Sequence, residues 1–230
     1  MPAAPKNSTV FVVDDDPDMC RSLVALLEAM RFSVRSFQSA ASFHRFYRAD
    51  MPGVLLLDVQ MPVQSGLKLY EQLLQESKPL PVIFITAHTD VPTAVAAMKT
   101  GAIEFLEKPF DGATLAELVR KGLELDAQWR RREADFAVLK ERVERLSERD
   151  RETLNLILAG ESNKTMAAKL FISQRAVEMR RAAIMRKLDV RSLAELLDLT
   201  ITYQILSDLR SATGSQYPHP DLGRQATGPV

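Results

Sequence analysis

The chain has 230 residues, 46% hydrophobic and 26% charged, with 30 Lys/Arg balanced by 30 Asp/Glu, which excludes a fibrous, low-complexity or highly charged disordered protein and leaves room for two folded domains. No apolar run approaches the ~20 residues that cross a bilayer, and the first nine residues lack the apolar core of a signal peptide, so a cytoplasmic protein with no membrane partner is expected. The lone cysteine, Cys20, has no second thiol or histidine near it in sequence and is expected to be a buried structural thiol, not a disulfide or zinc ligand.

From Val10 to about residue 126, short apolar runs alternate with amphipathic stretches, the pattern of a parallel sheet wrapped by helices. Strands are expected at Val10–Asp14, Ser33–Phe37, Val54–Asp58, Val82–Thr86 and Ile103–Leu106, each followed by a helical segment. The runs are apolar on both faces, which argues for burial between two helical layers in an α/β, doubly wound, flavodoxin-like sheet of order 2-1-3-4-5. Then comes a charged stretch, Leu115 to Leu146, with an apolar residue roughly every 3.5 positions. It reads as one long helix whose heptad seam is broken only by Gly122 and Arg132. The seam fits equally a coiled coil or a helix packed on its own domains. Residues 147–208 look all-helical, and the Gly- and Pro-containing remainder is expected to be disordered. The expected organisation is thus 8–126, a linker over 127–146, a helical domain over 147–208 and a tail over 209–230.

Charge is divided unevenly along this plan. Residues 1–126 carry 12 Lys/Arg against 16 Asp/Glu, a net of −4, whereas residues 163–191 carry 8 against 2, a net of +6. A basic patch of this kind attracts a phosphate backbone.

Asp14 and Asp15 close the first strand and Asp58 the third. In strand order 2-1-3-4-5 these strands are neighbours, and ligands bind beyond their carboxyl ends. Converging carboxylates repel unless a cation neutralises them, and a hard divalent ion, Mg²⁺, matches oxygen donors that share a site with a phosphoryl group. Thr86, ending the fourth strand, offers a hydroxyl, and Lys108, just past the fifth, a positive charge for phosphoryl oxygens. Asp58 stands alone on the middle strand and is the natural nucleophile toward a phosphoryl donor.

The pieces VVDDDP at Val12–Pro17, LLDVQMP at Leu56–Pro62 with Ser65–Gly66, ITAH at Ile85–His88 and EKPF at Glu107–Phe110 resemble, in order and spacing, the receiver domain of bacterial two-component response regulators over residues 9 to 126. The resemblance implies a phosphoacceptor at Asp58 served by a sensor histidine kinase. It further implies Mg²⁺ at Asp14, Asp15, Asp58 and the Gln60 backbone carbonyl, phosphoryl contacts from Thr86 and Lys108, and a switch formed by Thr86 and Phe105. Side chains at Gln60 and His88 stand where they can gate water access to a phosphoaspartate, and His88 reads equally as a surface-loop histidine. His44 and His219 are read as structural or incidental.

In the second domain, Asn163–Leu188 divides into two helices around a short turn. Met166, Ala167 and Leu170 give the first an apolar face, Ser173 can cap the second, and Val177, Ile184 and Leu188 recur at helical spacing. Arg175, Met179, Arg181 and Arg186 remain outward, as entry into a major groove requires. With Leu146–Gly160 before and Ser192–Leu199 after, the stretch resembles the four-helix LuxR-type helix-turn-helix domain, and the whole chain resembles the FixJ/NarL group of transcriptional regulators. That likeness implies base contacts from Glu178, Met179 and Ala182 and phosphate contacts from Lys164, Arg175 and Arg181. It also implies double-stranded promoter DNA and a second copy of the chain as partners, with RNA polymerase a further candidate. Ala176 and Arg180 depart from the threonine and histidine common in the group, so promoter preference does not transfer. Two other readings are an aspartyl phosphatase, against which Gln60 stands where a second Asp is usual, and a receiver serving only as a protein-binding module; the expectation is a regulator and not an enzyme.

Overall fold

The computed structural model describes residues 8–78, 80–87, 95, 97 and 99–213. The described residues form two compact units that divide between Arg130 and Arg131. In the first, strands β1 (Thr9–Val13), β2 (Ser33–Phe37), β3 (Gly53–Asp58), β4 (Val82–Thr86) and β5 (Glu104–Glu107) make one parallel sheet in the order β2-β1-β3-β4-β5. Helices α1 (Pro17–Ala29), α2 (Ala40–Phe46) and α3 (Gly66–Gln75) connect the strands, and α4 (Gly112–Glu144) follows β5. The helix expected between β4 and β5 lies largely outside the described residues.

Strand period explains the two cores. Phe11, Val13, Leu55, Leu57 and Phe84 face one way, onto α2 and α3 residues such as Phe43, Leu69 and Leu73. Val10, Val12, Val54, Leu56, Ile83 and Ile85 face the other, onto Leu23 and Leu27 of α1 and Leu115, Val119 and Leu123 of α4. The expectation of burial on both faces holds for β1, β3 and β4; β2 and β5 are half-exposed because each pairs on one side only.

Helix starts follow local chemistry. Asp16 caps α1 with Pro17 in its first turn, and Ser39 and Ser65 cap α2 and α3, each accepting a bond from a backbone N–H of the first turn. The long helix α4 begins against the sheet, where Gly122 lies so close that a Cβ would stand 2.5 Å from Val54 Cγ2. Further along, the buried Asp126 carboxylate accepts from the Gly53 N–H at 3.0 Å and from Arg130 Nε at 2.9 Å, and the Arg130 guanidinium also donates to the Ala49 carbonyl. Burial pushes the Asp126 carboxyl up, against the pull of Arg130.

The second unit holds the remainder of α4 with α5 (Glu148–Leu158), α6 (Asn163–Lys169), α7 (Gln174–Leu188) and α8 (Leu193–Thr213). Its core joins Val143 and Leu146 to Leu154, Ile157, Met166, Val177, Ile184, Leu188 and Leu196. Phe136 of α4 stacks on Tyr203 of α8 with ring centroids 5.9 Å apart, and Arg210 lies over Phe136 while pairing with Glu133. Most of the heptad seam is therefore spent within the chain: Leu115, Gly122, Trp129, Phe136, Val143 and Leu146 are buried, while Leu118, Leu125 and Leu139 are half-buried and Arg132 is exposed. That favours the packed helix over the coiled coil. The expected end of order at 208 also shifts, because α8 runs on to Thr213. Residues 214–230, His219 among them, lie outside the described residues.

Candidate functional site

Register builds the acidic site. Val13 pairs with Leu57 across β1 and β3, so Asp14 and Asp58 leave the sheet side by side, and Thr86 ends β4 next to them. All three are buried, at 3%, 6% and 1% exposure, a depth at which charged groups must be paired. The pairing is symmetrical. Asp14 takes the Asp16 N–H on Oδ1 at 2.9 Å and Lys108 Nζ on Oδ2 at 2.8 Å. Asp58 takes the Gln60 N–H on Oδ2 at 2.7 Å and Lys108 Nζ on Oδ1 at 3.0 Å. One ammonium thus spans both carboxylates, while backbone amides two residues on hold each by its other oxygen.

The surrounding loops keep this arrangement in place. The Lys108 N–H donates to the Thr86 carbonyl at 2.8 Å, anchoring the chain after β5 to the end of β4, and the Gly66 N–H donates to the Val59 carbonyl. A Cβ at Gly66 would stand 2.2 Å from the Asp58 carbonyl oxygen, so the β3–α3 loop can fold this tightly against the strand end only with glycine there. Burial pushes the Asp58 carboxyl up, opposed first by the Lys108 hydrogen bond and charge. Burial alone would lower Lys108, but the two carboxylates outweigh it and hold the ammonium above its ordinary value.

Two carboxylates and one ammonium leave a net negative site of hard oxygens, a donor set that suits Mg²⁺, which takes one or two carboxylates together with water and phosphate oxygens. Asp15 is exposed and takes no part in the Lys108 bridge. Among the described residues no three His, Cys, Asp or Glu side chains are grouped to hold a metal by themselves. Gln60 engages Asp58 through its amide. Phe105 is half-buried on β5 beside Phe84, His88 lies outside the described residues, and Cys20 is buried, donating its thiol to the Asp14 carbonyl.

In the second unit, Ser162 and Ser173 cap α6 and α7, and Phe171, at φ 55°, turns the chain between them. Val177, Ile184 and Leu188 bury one side of α7. Arg175, Glu178, Met179, Ala182 and Arg186 form the exposed side, with Met179 at 68% exposure. Lys164 is exposed on α6. Arg181 departs from the expected outward position: it is half-buried, donating Nη1 to Asn163 Oδ1 at 3.1 Å. Arg142 of α4 donates to the Leu188 carbonyl and pairs with Asp189, placing a cation at the C-terminus of α7, where the helix dipole favours one.

Residues 10–120 match the family described as the response regulator receiver domain, and residues 144–200 match the LuxR family of bacterial regulatory proteins. The transcriptional regulatory protein FixJ of Azorhizobium caulinodans is 40% identical over 200 residues, 86% of this chain and 93% of that protein. The chain belongs to the FixJ family of response regulators. The response regulator protein TodT of Pseudomonas putida is 38% identical over 195 residues, 85% of this chain and 86% of TodT. Among solved structures, the response regulator StyR matches with a TM-score of 0.80 at 42% identity, covering 86% of this chain and all of StyR.

As a family member this response regulator is a two-component transcription regulator with a DNA-binding domain, not an enzyme. Of the residues singled out in the sequence, the structure brings together Asp14, Asp58 and Lys108, with Thr86 at the adjacent strand end. It leaves Asp15 outside that bridge. Sequence reading overlooked Asp16, which is consumed as the α1 cap, and the Asp126–Arg130 and Asn163–Arg181 pairs. For Asp16 the signal was there, since an Asp immediately before Pro17 is a helix-start pattern. Among the described residues no helix is long and apolar enough to cross a membrane.

Proposed function

We propose that this response regulator is phosphorylated on Asp58 by a sensor histidine kinase and that the phosphorylated form controls promoter binding. The observation that carries the proposal is the Asp58 carboxylate, buried beside Asp14 and held 3.0 Å from Lys108 Nζ. Asp58 Oδ1, the oxygen that Lys108 holds, attacks phosphorus as the P–N bond of a phosphohistidine breaks and the imidazole leaves with the electron pair. The Gln60 amide holds the other oxygen and so aims the nucleophile. Lys108, already committed to Asp58, is placed to transfer its charge to the phosphoryl oxygens, and Thr86 offers its hydroxyl from the end of β4. Asp14 and Asp58 would hold Mg²⁺, with Asp15 and the Gln60 carbonyl as further donors; when bound, the ion supplies charge neutralisation between carboxylates and phosphoryl group.

Phosphorylation draws Lys108 and Thr86 toward the new group, and Phe105, one strand over, moves with Thr86 in a population shift of the receiver surface. That surface, β5 and the helices flanking it, then pairs with a second copy, bringing two DNA-binding units to adjacent half-sites in the cytoplasm. At the DNA, Glu178, Met179 and Ala182 face the bases, and Lys164, Arg175 and Arg181 the phosphates. RNA polymerase is the further partner through which a bound promoter is read.

The test is fluorescence anisotropy on the upstream region of the protein's own operon, with and without Mg²⁺ and beryllofluoride, for wild type and Asp58→Ala. The expected result is tighter binding on activation for the wild type alone, with a rise in mass in solution. Equal binding by both chains under all conditions refutes the switch.

A further inference from the structure

We propose that Asn163 is a positioning residue for DNA binding: its side-chain carbonyl holds the Arg181 guanidinium at the edge of the recognition helix, ready to meet a backbone phosphate. The proposal rests on the reading of α7 as the helix that meets DNA.

The geometry of the pair is specific. Arg181 follows Val177 by four residues and precedes Ile184 by three, so its Cα lies near the buried side of α7 rather than in the middle of the exposed stripe. From there a long side chain can fold along the unit's surface in many rotamers. One is selected, because Nη1 donates to Asn163 Oδ1 at 3.1 Å, across the two helices of the motif and 18 residues back. Asn163 is itself placed by the Ser162 cap, which makes it the first residue of α6.

The chemistry of the partner matters as much as its position. Several other basic side chains of this unit are held by acids, among them Lys187 by Asp150, Lys169 by Glu161 and Arg142 by Asp189. Those partners cancel the charge that they order. Asn163 is a neutral amide, so it orders Arg181 and leaves the positive charge in place. A guanidinium carries five N–H donors; the bond to Asn163 leaves the remainder of the fork for a phosphate, and the exposed Lys164 adjoins it in sequence. Ordering an arginine before binding removes part of the entropy loss of association, an effect on the order of two- to tenfold in affinity for one side chain.

The full-length chain is titrated against a fluorescein-labelled duplex of mixed sequence, roughly 30 base pairs, over a series of salt concentrations, for wild type, Asn163→Ala, Arg181→Ala and the double variant. Arg181→Ala should weaken binding and flatten the dependence of log K on log[salt] by about 0.9. Asn163→Ala should weaken binding about two- to tenfold when Arg181 is present and have no effect once Arg181 is alanine. Asn163→Ser, too short to reach the guanidinium but polar at the same helical position, should behave like Asn163→Ala. A general loss of stability would act in both backgrounds, so the cycle separates it from positioning. Wild-type binding by Asn163→Ala beside weakened Arg181→Ala overturns the positioning role and leaves the DNA reading standing, as does an Asn163→Ala effect of equal size in both backgrounds. An unchanged affinity and salt slope for Arg181→Ala removes Arg181 from the DNA contacts, and the proposal with it.

Discussion

The two units hold their functional charges in opposite ways. In the first, Asp14 and Asp58 are buried at the strand ends with Lys108 half-buried between them, and every carboxylate oxygen accepts a hydrogen bond, two of them from the one ammonium. In the second, Arg175, Glu178 and Arg186 stand in solvent on a helix whose buried side does the packing. Buried charges must be over-determined, because any one left unpaired costs several kcal/mol; exposed ones need only be on the right side of a helix. The first arrangement suits a site that changes state by gaining a phosphoryl group, the second a surface that meets an external polyanion. Both units draw on α4: its first half gives Leu115, Val119 and Leu123 to the core under the sheet, and its second half gives Phe136 and Val143 to the second unit, with Leu146 following just past the helix end.

The largest effect should come from removing what α4 and the turn after it give the second unit. A DNA-binding fragment of residues 147–213 lacks Phe136, Val143 and Leu146, and large-to-small losses of this kind cost at least about 4 kcal/mol in sum. Its unfolding by denaturant should therefore begin well below that of a 131–213 fragment. Equal midpoints would mean that α4 is only a tether for the second unit.

Removing a cation from each region tests the contrast in charge. Lys108→Ala leaves Asp14 and Asp58 buried without their shared ammonium and should cost about 3 kcal/mol in the first unit's unfolding transition. Arg175→Ala should stay within about 0.5 kcal/mol of wild type in stability while weakening DNA binding. If the two substitutions cost the same, the acidic site is hydrated enough that its pairing is not structural.

A smaller effect concerns close packing. Gly122→Ala gains about 1 kcal/mol of helix propensity but places a Cβ 2.5 Å from Val54 and 3.0 Å from Ile103, inside the second core of the first unit. Overpacking there costs about 1–3 kcal/mol. A net loss of roughly 1 kcal/mol by thermal melting is expected; a gain would mean that α4 sits looser on the sheet.

What could be read from the sequence follows from range. Asp14, Asp58, Thr86 and Lys108 were legible because each ends an apolar run or follows one directly, and strand order alone brings such ends together. The packed faces were legible because strand and helix periods are local. Gly53 at Asp126, Lys187 at Asp150 and Asn163 at Arg181 were not, since they lie 73, 37 and 18 residues away and depend on how close two elements approach, whereas Arg130 and Ser147 are local partners of Asp126 and Asp150. The heptad seam was ambiguous for a related reason: the same period serves a second helix, a sheet or a bundle. Gly122 was the clue within it, since a residue with no side chain serves close approach to a sheet better than a coiled-coil seam.

The finest test lies in how the two units respond to acid, because two buried carboxylates are shifted in opposite directions. Burial would raise Asp150, but hydrogen bonds from Lys187 and from the Ser147 hydroxyl and amide outweigh it and hold the carboxyl below its ordinary value. With the folded value below the unfolded one, its stabilisation is complete above the unfolded pKa, about 3.9, and is lost as pH falls through the folded value. Asp126 is the reverse: burial holds it above its ordinary value despite Arg130, so its cost is full at neutral pH and is relieved as pH falls through that raised value. Asp150→Asn should thus lower the stability of the second unit at neutral pH by about 1 kcal/mol and remove part of its acid sensitivity, and Asp126→Asn should remove a contribution of opposite slope from the first. Each is read from denaturant midpoints on either side of pH 4. If both substitutions shift the acid limb in the same direction, the Lys187 pair does not outweigh burial at Asp150, and the capping box at the start of α5 is held together by shape rather than by charge.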